Sequence, residues 1–478
     1  MTLGSLSGAR AALFIFSFLA APVVSVVVFR YAAAQQPAPP TIGEPFGVFA
    51  GPGAQRGPAI AFDEGARRHL IVWSDITAGD IYGRVVADHG SPVGPHFPIS
   101  LAPGTQISPT VAAGGPGQGF LVVWQDARNG DWDIYGQRIS AAGRLLDGQG
   151  AVDADPTANT ALITGPGDQH MPDVAYSPQA DFYLVVWGGS LPEPDVGVEV
   201  AGRLISSTGV PIGESVTIIE DPRAVAHPAV TYNPTAGEFL VVWQRQDIWV
   251  EDRRLSAMGE LQGQRRQIWS SLIRPYPAPI PDVIYNPVTE EYLAVWDDAS
   301  DENIYGFRVL SDGQPEGDRI PISSAAGLQV GPRVGTHGAG YLVAWADSRD
   351  PDSRQIYGQL LSAGGERVNE EGTPGAPADV NMPLATAIPD QESPALAFNP
   401  DGVEYLLTWA EDRLEGPDIL GERIWFPAMG PRPTPTPTLT PTASATPTAT
   451  MTPTTTPTPT PTQPHRYLVL VFRNWPEE

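Results

Sequence analysis

The stretch FLVVWQDARNGDWDIYGQRIS, Phe120 to Ser140, decides the fold. An apolar run closes on Trp124. A polar loop follows, carrying Asp126, Arg128, Asn129, Gly130, Asp131 and Asp133, and a second apolar segment starts at Ile134. Two short β-strands joined by a loop account for this pattern. The unit recurs along the chain, marked by Trp73, Trp124, Trp187, Trp243, Trp296, Trp345 and Trp409 at spacings of 51, 63, 56, 53, 49 and 64 residues. A period near 50 residues with several short strands in each repeat is the signature of a β-propeller.

Each repeat has four parts. The first opens on Pro and closes in an aromatic-Asn-Pro turn, as in Pro228 to Pro234, Pro281 to Pro287 and Pro394 to Pro400. Pro suits the first residue of a strand, where no ladder N–H is lost. The second is the apolar run into the marker Trp, continuous enough to be buried on both faces. The third is an Ile-Tyr-Gly strand, as in Ile81 to Arg84, Ile134 to Arg138, Ile304 to Arg308 and Ile356 to Leu360. The fourth follows a Gly turn and ends in sequences such as Phe97-Pro-Ile-Ser100 and Ile320-Pro-Ile-Ser323.

The seventh repeat ends with its third strand, Ile419 to Phe426. The missing fourth lies at the other end of the chain: Ile42-Gly-Glu-Pro-Phe-Gly-Val-Phe49 precedes Pro58 much as Ile212-Gly-Glu-Ser-Val-Thr-Ile-Ile219 precedes Pro228. The expectation is therefore all-β: a seven-bladed β-propeller over residues 37–430, closed by an N-terminal strand that removes its open edges. Repeats two and six also match without a gap from Gly143 to Trp187 and from Gly365 to Trp409. They pair Asn159 with Asn381 and Asp168-Gln169 with Asp390-Gln391, and share an extra segment expected between the third and fourth strands. Duplication of one blade explains the match.

The 478 residues include no Cys, so disulfides, thiolate catalysis and Cys-ligated metals are excluded. Net charge is −26 and all 28 basic residues are Arg. An acidic surface repels phosphate backbones, so nucleic acid is not an expected partner. Residues 1–36 read as a signal peptide or an N-terminal membrane anchor: Arg10 precedes an apolar run from Ala11 to Phe29, and small residues precede Gln35. Residues 431–464 are almost wholly Pro and Thr. They read as a disordered, extended C-terminal stalk of about 100 Å at about 3.1 Å per residue. Residues 465–478 form a short apolar-rich end without the Leu-Pro-x-Thr-Gly pattern of sortase substrates.

Asn129-Gly-Asp-Trp-Asp-Ile-Tyr135 and its echoes Asp80-Ile-Tyr82, Asn303-Ile-Tyr305 and Gln355-Ile-Tyr357 resemble the repeats of TolB-like and related WD40-like propellers of secreted bacterial proteins. The resemblance covers residues 41–427. It departs in the Val-Val-Trp ending of the second strand and in the lack of a TolB-type N-terminal domain. It implies the propeller fold and an extracytoplasmic setting, and it carries no catalytic residue and no named partner.

Two residues past most marker tryptophans stands an acid: Asp75, Asp126, Asp298, Asp347 and Glu411, with Gly189 and Arg245 breaking the series. A carboxylate ring of this kind could face a ligand, and Asn129, Asp131 and Trp132 join it as ligand-face candidates. Asp126, Asp131 and Asp133 are the metal candidates, with Ca²⁺ the cation that oxygen ligands of this type select. Their spacing is not that of an EF-hand loop. The bland alternative is that Asp and Arg pair within each blade, because a residue repeated in most blades is more simply structural and a ligand site should break the repeat. His170, His227, His337, Trp132, Trp249 and Trp269 fall outside the repeat pattern, but no His pair has the spacing of a zinc site.

No sialidase-type Ser-x-Asp-x-Gly-x-x-Trp box, no Gly-x-Ser-x-Gly elbow and no phosphate-binding loop occurs. The function expected from sequence is a monomeric, exported or cell-surface propeller that binds protein or glycan without catalysis and without a cofactor. A secreted carbohydrate-active hydrolase with carboxylates at the propeller face and a structural surface-layer component are the alternatives.

Overall fold

The computed structural model describes residues 41–425, apart from 191–197, 222–224, 246–248, 271–279, 299, 370–372, 387–388, 402 and 414–417. The expected N-terminal signal or anchor, the Pro/Thr stalk and the apolar end lie outside the described residues. Within them, 31 strands form seven antiparallel sheets, one per repeat. Each sheet is ordered first to fourth strand, as in blade 1: Gln55–Asp63, Arg68–Asp75, Asp80–Ala87 and Phe97–Ser100.

Ring closure is realised as the sequence suggests. In blade 7, Asp418–Trp425 is the third strand, and both Thr41–Ile42 and Phe46–Phe49 pair with it as the fourth. Val48 is fully buried, packed with Ile60, Trp73 and Ala410.

The repeated residues now have physical reasons. The second strand of blade 2, Phe120–Asp126, is buried at every position because both of its faces pack. Phe120, Val122 and Trp124 join blade 1 residues, while Leu121 and Val123 join blade 3 residues. The core is thus a set of clusters lying between blades. In blades 1, 2, 5 and 6 the marker Trp pairs across the ladder with the Tyr of Ile-Tyr-Gly, as in Trp124 with Tyr135 and Trp345 with Tyr357, whereas Trp187, Trp243 and Trp409 face Ala201, Glu251 and Leu420. The Gly that follows is required by close approach. A Cβ on Gly136 would lie 2.5 Å from Leu162 Cδ1, and one on Gly358 would lie 2.6 Å from Leu384 Cδ1. Those leucines are bulged residues of the fourth strands. Every blade has one such bulge, at Ile99, Leu162, Ile218, Ile268, Ile322, Leu384 and Val48 in blades 1 to 7.

Two details differ from the sequence reading. The first strands begin before their Pro, at Gln55, Gln106, Gln169, Gln329 and Gln391. The Pro sits inside the strand, where the register shifts between Arg56 and Ala59, Ile107 and Thr110, or His170 and Asp173. A bulge leaves ladder groups unpaired, so Pro is tolerated there as well as at a strand start. The residue before it is left-handed: Ser108 at φ 54°, Met171 at 51°, His227 at 50° and Ser393 at 54°. The second detail is the shared segment of blades 2 and 6. It interrupts the fourth strand instead of preceding it, splitting blade 2 into Leu145–Leu146 and Thr160–Ile163, both paired with Asp133–Ile139.

Candidate functional site: the loop face and the central channel

One face of the ring carries the start of each first strand and the loop after each second strand. Gln55 pairs there with Asp75, Gln106 with Asp126 and Gln329 with Asp347. The acids expected to ring this face are bonded into the loops of their own blades. Asp126 is fully buried. It accepts the Trp124 indole N–H at 2.9 Å, and the Nε and backbone N–H of Arg128 at 2.8 and 3.0 Å. The Arg128 guanidinium in turn lies 3.9 Å above the Tyr135 ring. Asp347 repeats this with Trp345 at 2.8 Å, Arg349 Nε at 2.9 Å and Tyr357 below Arg349 at 3.8 Å. Asp75 accepts Gln55 Nε2 at 3.1 Å and the N–H groups of Thr77 and Ala78 at 3.0 Å. Charge-assisted bonds of this kind fix a loop firmly.

Blades 4 and 5 build the same contact from different positions. Asp298 is buried and accepts Ser300 Oγ at 2.6 Å. Its cation is Arg319 from the fourth strand, 3.5 Å away and 3.7 Å above Tyr305. Blade 4 reverses the charges. Arg245 stands where others have Asp, is 1% exposed, and pairs at 3.1 Å with both Glu251, its own third strand's counterpart of the Tyr, and Asp221 of blade 3. The duplicated Asn159 and Asn381 are inter-blade ties. Asn159 accepts Ser100 Oγ at 2.8 Å and donates to Ile99 O at 2.9 Å. Asn381 accepts Ser323 Oγ at 2.7 Å and donates to Ile322 O at 3.4 Å.

The loop particular to blade 2 is only partly open. Asn129 Nδ2 donates to Asp133 Oδ2 at 3.0 Å and to Tyr135 OH at 2.9 Å, and Asp133 is buried. Asp131 is exposed and Trp132 half-buried, its N–H donating to Asp168 Oδ1 at 3.0 Å. Asp126 and Asp133 are therefore bonded to different partners, and Asp131 is exposed. Among the described residues no group of three or more His, Asp or Glu converges as metal ligands do. Trp269 packs between blades, 5.5 Å from Trp296. The backbone of Trp249 opens a third strand, and its side chain lies outside the described residues. His170 sits 4.0 Å from Asp168 on the loop face, and His337 lies 3.0 Å from Tyr405 OH, where burial lowers its pKa to about 4.

The seven first strands enclose a central channel of about 620 Å³, the size of an ordinary small-ligand site. The residue after the bulge Pro is Ala59, Thr110, Asp173, Ala229, Asp282, Arg333 and Ala395 in blades 1 to 7. This ring breaks the repeat with charge. Asp173 spans three blades, accepting Thr110 Oγ1 at 3.1 Å and the Val230 N–H at 2.8 Å. Burial, with the charge of Asp282 nearby, pushes it up to about 6. Asp282 accepts the Val334 N–H at 2.8 Å; burial raises its pKa while Arg333 pulls the other way. Asp297, which accepts the Ile280 N–H at 2.6 Å, is pushed up to about 6 by burial. Arg333 donates to Pro332 O at 3.2 Å and makes no ion pair with the described residues. His227 lines the same wall, its pKa lowered to about 4 by burial and by Arg333. Across the channel, Glu392 pairs with Arg56 at 3.0 Å and with Arg354 at 3.6 Å, Arg56 also reaches Asp412 at 2.7 Å, and Arg56 Nη1 and Arg354 Nε are buried donors without a hydrogen-bond partner among the described residues. Of the channel group, only His227 stood out in the sequence. Asp173, Asp282 and Arg333 could have been found by aligning the repeats on the bulge Pro and reading the next residue.

The chain is thus a seven-bladed β-propeller whose loop-face acids are bonded within their blades and whose asymmetric polar groups line the channel. No family model and no curated protein matches it. Solved structures similar in fold include an oligogalacturonate lyase in complex with manganese, at 9% identity over 83% of this chain and 100% of that one, TM-score 0.43. A Hadza microbial sialidase matches at 11% identity over 72% of this chain and 73% of that one, TM-score 0.43. An α-L-arabinofuranosidase of Fusarium graminearum matches at 11% identity over 69% and 99%, TM-score 0.44. At such identities and scores the likeness carries no argument about activity.

Proposed function

We propose that the protein is an exported propeller of the TolB-like repeat type, held at the cell surface by its N-terminal segment, that binds a glycan or a protein side chain in the mouth of the central channel without transforming it. The observation that carries this reading is the ring after the bulge Pro. Positions shared by the blades are spent on blade-to-blade contacts, whereas Asp173, Asp282 and Arg333 occur once each around the channel. Carboxylate acceptors beside a guanidinium donor suit vicinal hydroxyls or an amide, groups that both donate and accept.

A second reading, hydrolysis of a glycosidic bond, is favoured by one observation. Asp173, pushed up to about 6, stands near a second carboxylate, and a raised acid beside another carboxylate is the pairing glycosidases use. Binding of the full chain to glycan and peptide arrays, run beside a panel of glycosidase substrates, separates the two. Retained ligand with no turnover supports binding. Turnover abolished by Asp173→Asn or Asp282→Asn would replace it with the enzyme.

A further inference from the structure

For five of the seven fourth strands, the carbonyl of the bulged residue accepts a side-chain hydrogen bond from the next blade; blade 5, with Phe307 at the donor position, sets none against Ile268. Arg84 Nη1 donates to Val48 O at 2.6 Å, Arg203 Nη1 to Leu162 O at 2.9 Å and Arg253 Nη1 to Ile218 O at 2.9 Å. All three arginines occupy one position, the residue after the third-strand Gly83, Gly202 or Asp252. In blades 2 and 6 the duplicated asparagines reach the corresponding carbonyls of Ile99 and Ile322. In blade 7 the residue at the arginine position, after Gly421, is Glu422, and the carbonyl it faces by this equivalence belongs to the bulged Leu384 of blade 6.

Glu422 is 1% exposed and has no hydrogen-bond or ion-pair partner among the described residues. A second carboxylate lies alongside. Ile42 pairs with Ile424 and Phe46 with Gly421, so Gly43, Glu44 and Pro45 of the closing strand pass opposite Glu422. Where three blades set a guanidinium against the bulge carbonyl, blade 7 carries a carboxylate at the equivalent position, and the charge of the exposed Glu44 acts on it. A buried carboxylate without a partner is strongly unfavourable: burial and the Glu44 charge push Glu422 up to about 8, so it is relieved either by a proton or by a cation beside it.

We propose that a hard divalent cation, Ca²⁺, occupies this position, bound by the carboxylates of Glu422 and Glu44 and the Leu384 carbonyl, with water completing its shell. Two carboxylates and one carbonyl are few for a Ca²⁺ site, which places it with the weak, about millimolar, sites of extracellular modules. Its effect is mechanical: it clamps the closing strand to blades 6 and 7, taking the role that Arg84, Arg203 and Arg253 fill elsewhere. The proposal is independent of what the channel binds.

The test is thermal melting of the full chain at about pH 7.5, in excess chelator and in CaCl2 raised to about ten times the millimolar range of such sites. The melting temperature is expected to rise by about 2 °C at ten times a half-effect concentration of about 1 mM, and less in MgCl2. Glu422→Gln, whose amide can donate to the carbonyl, should fold and lose the Ca²⁺ response, and Glu422→Arg should lose it while restoring the guanidinium of the other blades. Glu44→Gln should raise the half-effect concentration at least several-fold. A flat CaCl2 titration overturns the proposal and leaves Glu422 as a neutral acid donating to the carbonyl. So does a Ca²⁺ response that survives intact in Glu422→Gln, which would put the ion elsewhere.

Discussion

Replacing Arg245 by Ala tests whether the reversed-charge contact of blade 4 is a blade tie. The guanidinium is 1% exposed and pairs at 3.1 Å with Glu251 and with Asp221, themselves 3% and 7% exposed at the side chain. Removing it leaves two buried carboxylates facing each other. Breaking a buried pair this way costs about 3–5 kcal/mol. Arg265 stands 3.6 and 3.7 Å from the same carboxylates and is 40% exposed, so it can swing in and recover part of that. We therefore expect a loss of about 3 kcal/mol at neutral pH. In a domain this large, about 2 cal/mol/K of unfolding entropy per residue turns 3 kcal/mol into only a few degrees. Urea unfolding followed by fluorescence of the buried tryptophans is therefore the better assay. Arg67→Ala is the control: its partners Asp88 and Asp401 lie at the surface, and exposed pairs contribute about 0–1 kcal/mol. Equal losses in the two variants, or a loss below about 1 kcal/mol for Arg245→Ala, would refute the reasoning.

Three further outcomes follow from the structure. Val48→Asp should cost at least about 3 kcal/mol and expose the chain near Thr41 to proteolysis, because it puts a charge between blades 7 and 1, whereas Val152→Asp on the surface should change stability by no more than about 0.5 kcal/mol. Asn159→Ala and Asn381→Ala should each cost about 1–3 kcal/mol by stranding a buried carbonyl, and should add in the double variant since they share no partner. His69 is buried with no partner on Nδ1, and burial lowers its pKa to about 3 from an ordinary 6.5. The unfolded chain then binds the extra proton below 6.5, so His69 erodes stability as pH falls from about 6.5 to about 3. Phe120, Tyr183 and Phe239 hold the corresponding place in other blades, so His69→Phe should fold and flatten that acid limb, as read from urea midpoints between pH 7 and 4.

The architecture was legible because its markers face the same constraint seven times. A strand buried on both faces must be apolar throughout in all seven blades, and in blades 1, 2, 5 and 6 Trp also faces Tyr on the ladder and a bulged Leu or Ile leaves no room for a Cβ on the Gly beside it. The closing strand was legible because Ile42 to Phe49 repeats the pattern of a complete blade. Less legible was the role of the acids after each marker Trp, since a carboxylate aimed at solvent and one bonded to Trp124 and Arg128 have the same sequence. Arg319 could not be matched to Arg128 or Arg349, because it reaches the same space above a Tyr from a different strand. In six blades the Pro reads as the start of the first strand, because only the ladder reveals a bulge that tolerates it midway; in blade 5 Pro281 does directly precede the strand. The channel residues were hidden by their own irregularity: Asp173, Asp282 and Arg333 share a position but no residue type.

The central claim is that function resides where the repeat is broken, in the channel, and not in the loop-face acids. The measurement that bears on it most directly is the affinity of the full chain for whichever array ligand it retains, compared across Arg333→Gln, Asp282→Asn and Trp132→Ala. Loss of one charged hydrogen bond is worth about 1.5–3 kcal/mol, so either channel variant should weaken binding by about tenfold or more while Trp132→Ala leaves it unchanged. Binding that survives both channel substitutions but falls with Trp132→Ala would contradict the account and move the site to the loop of blade 2.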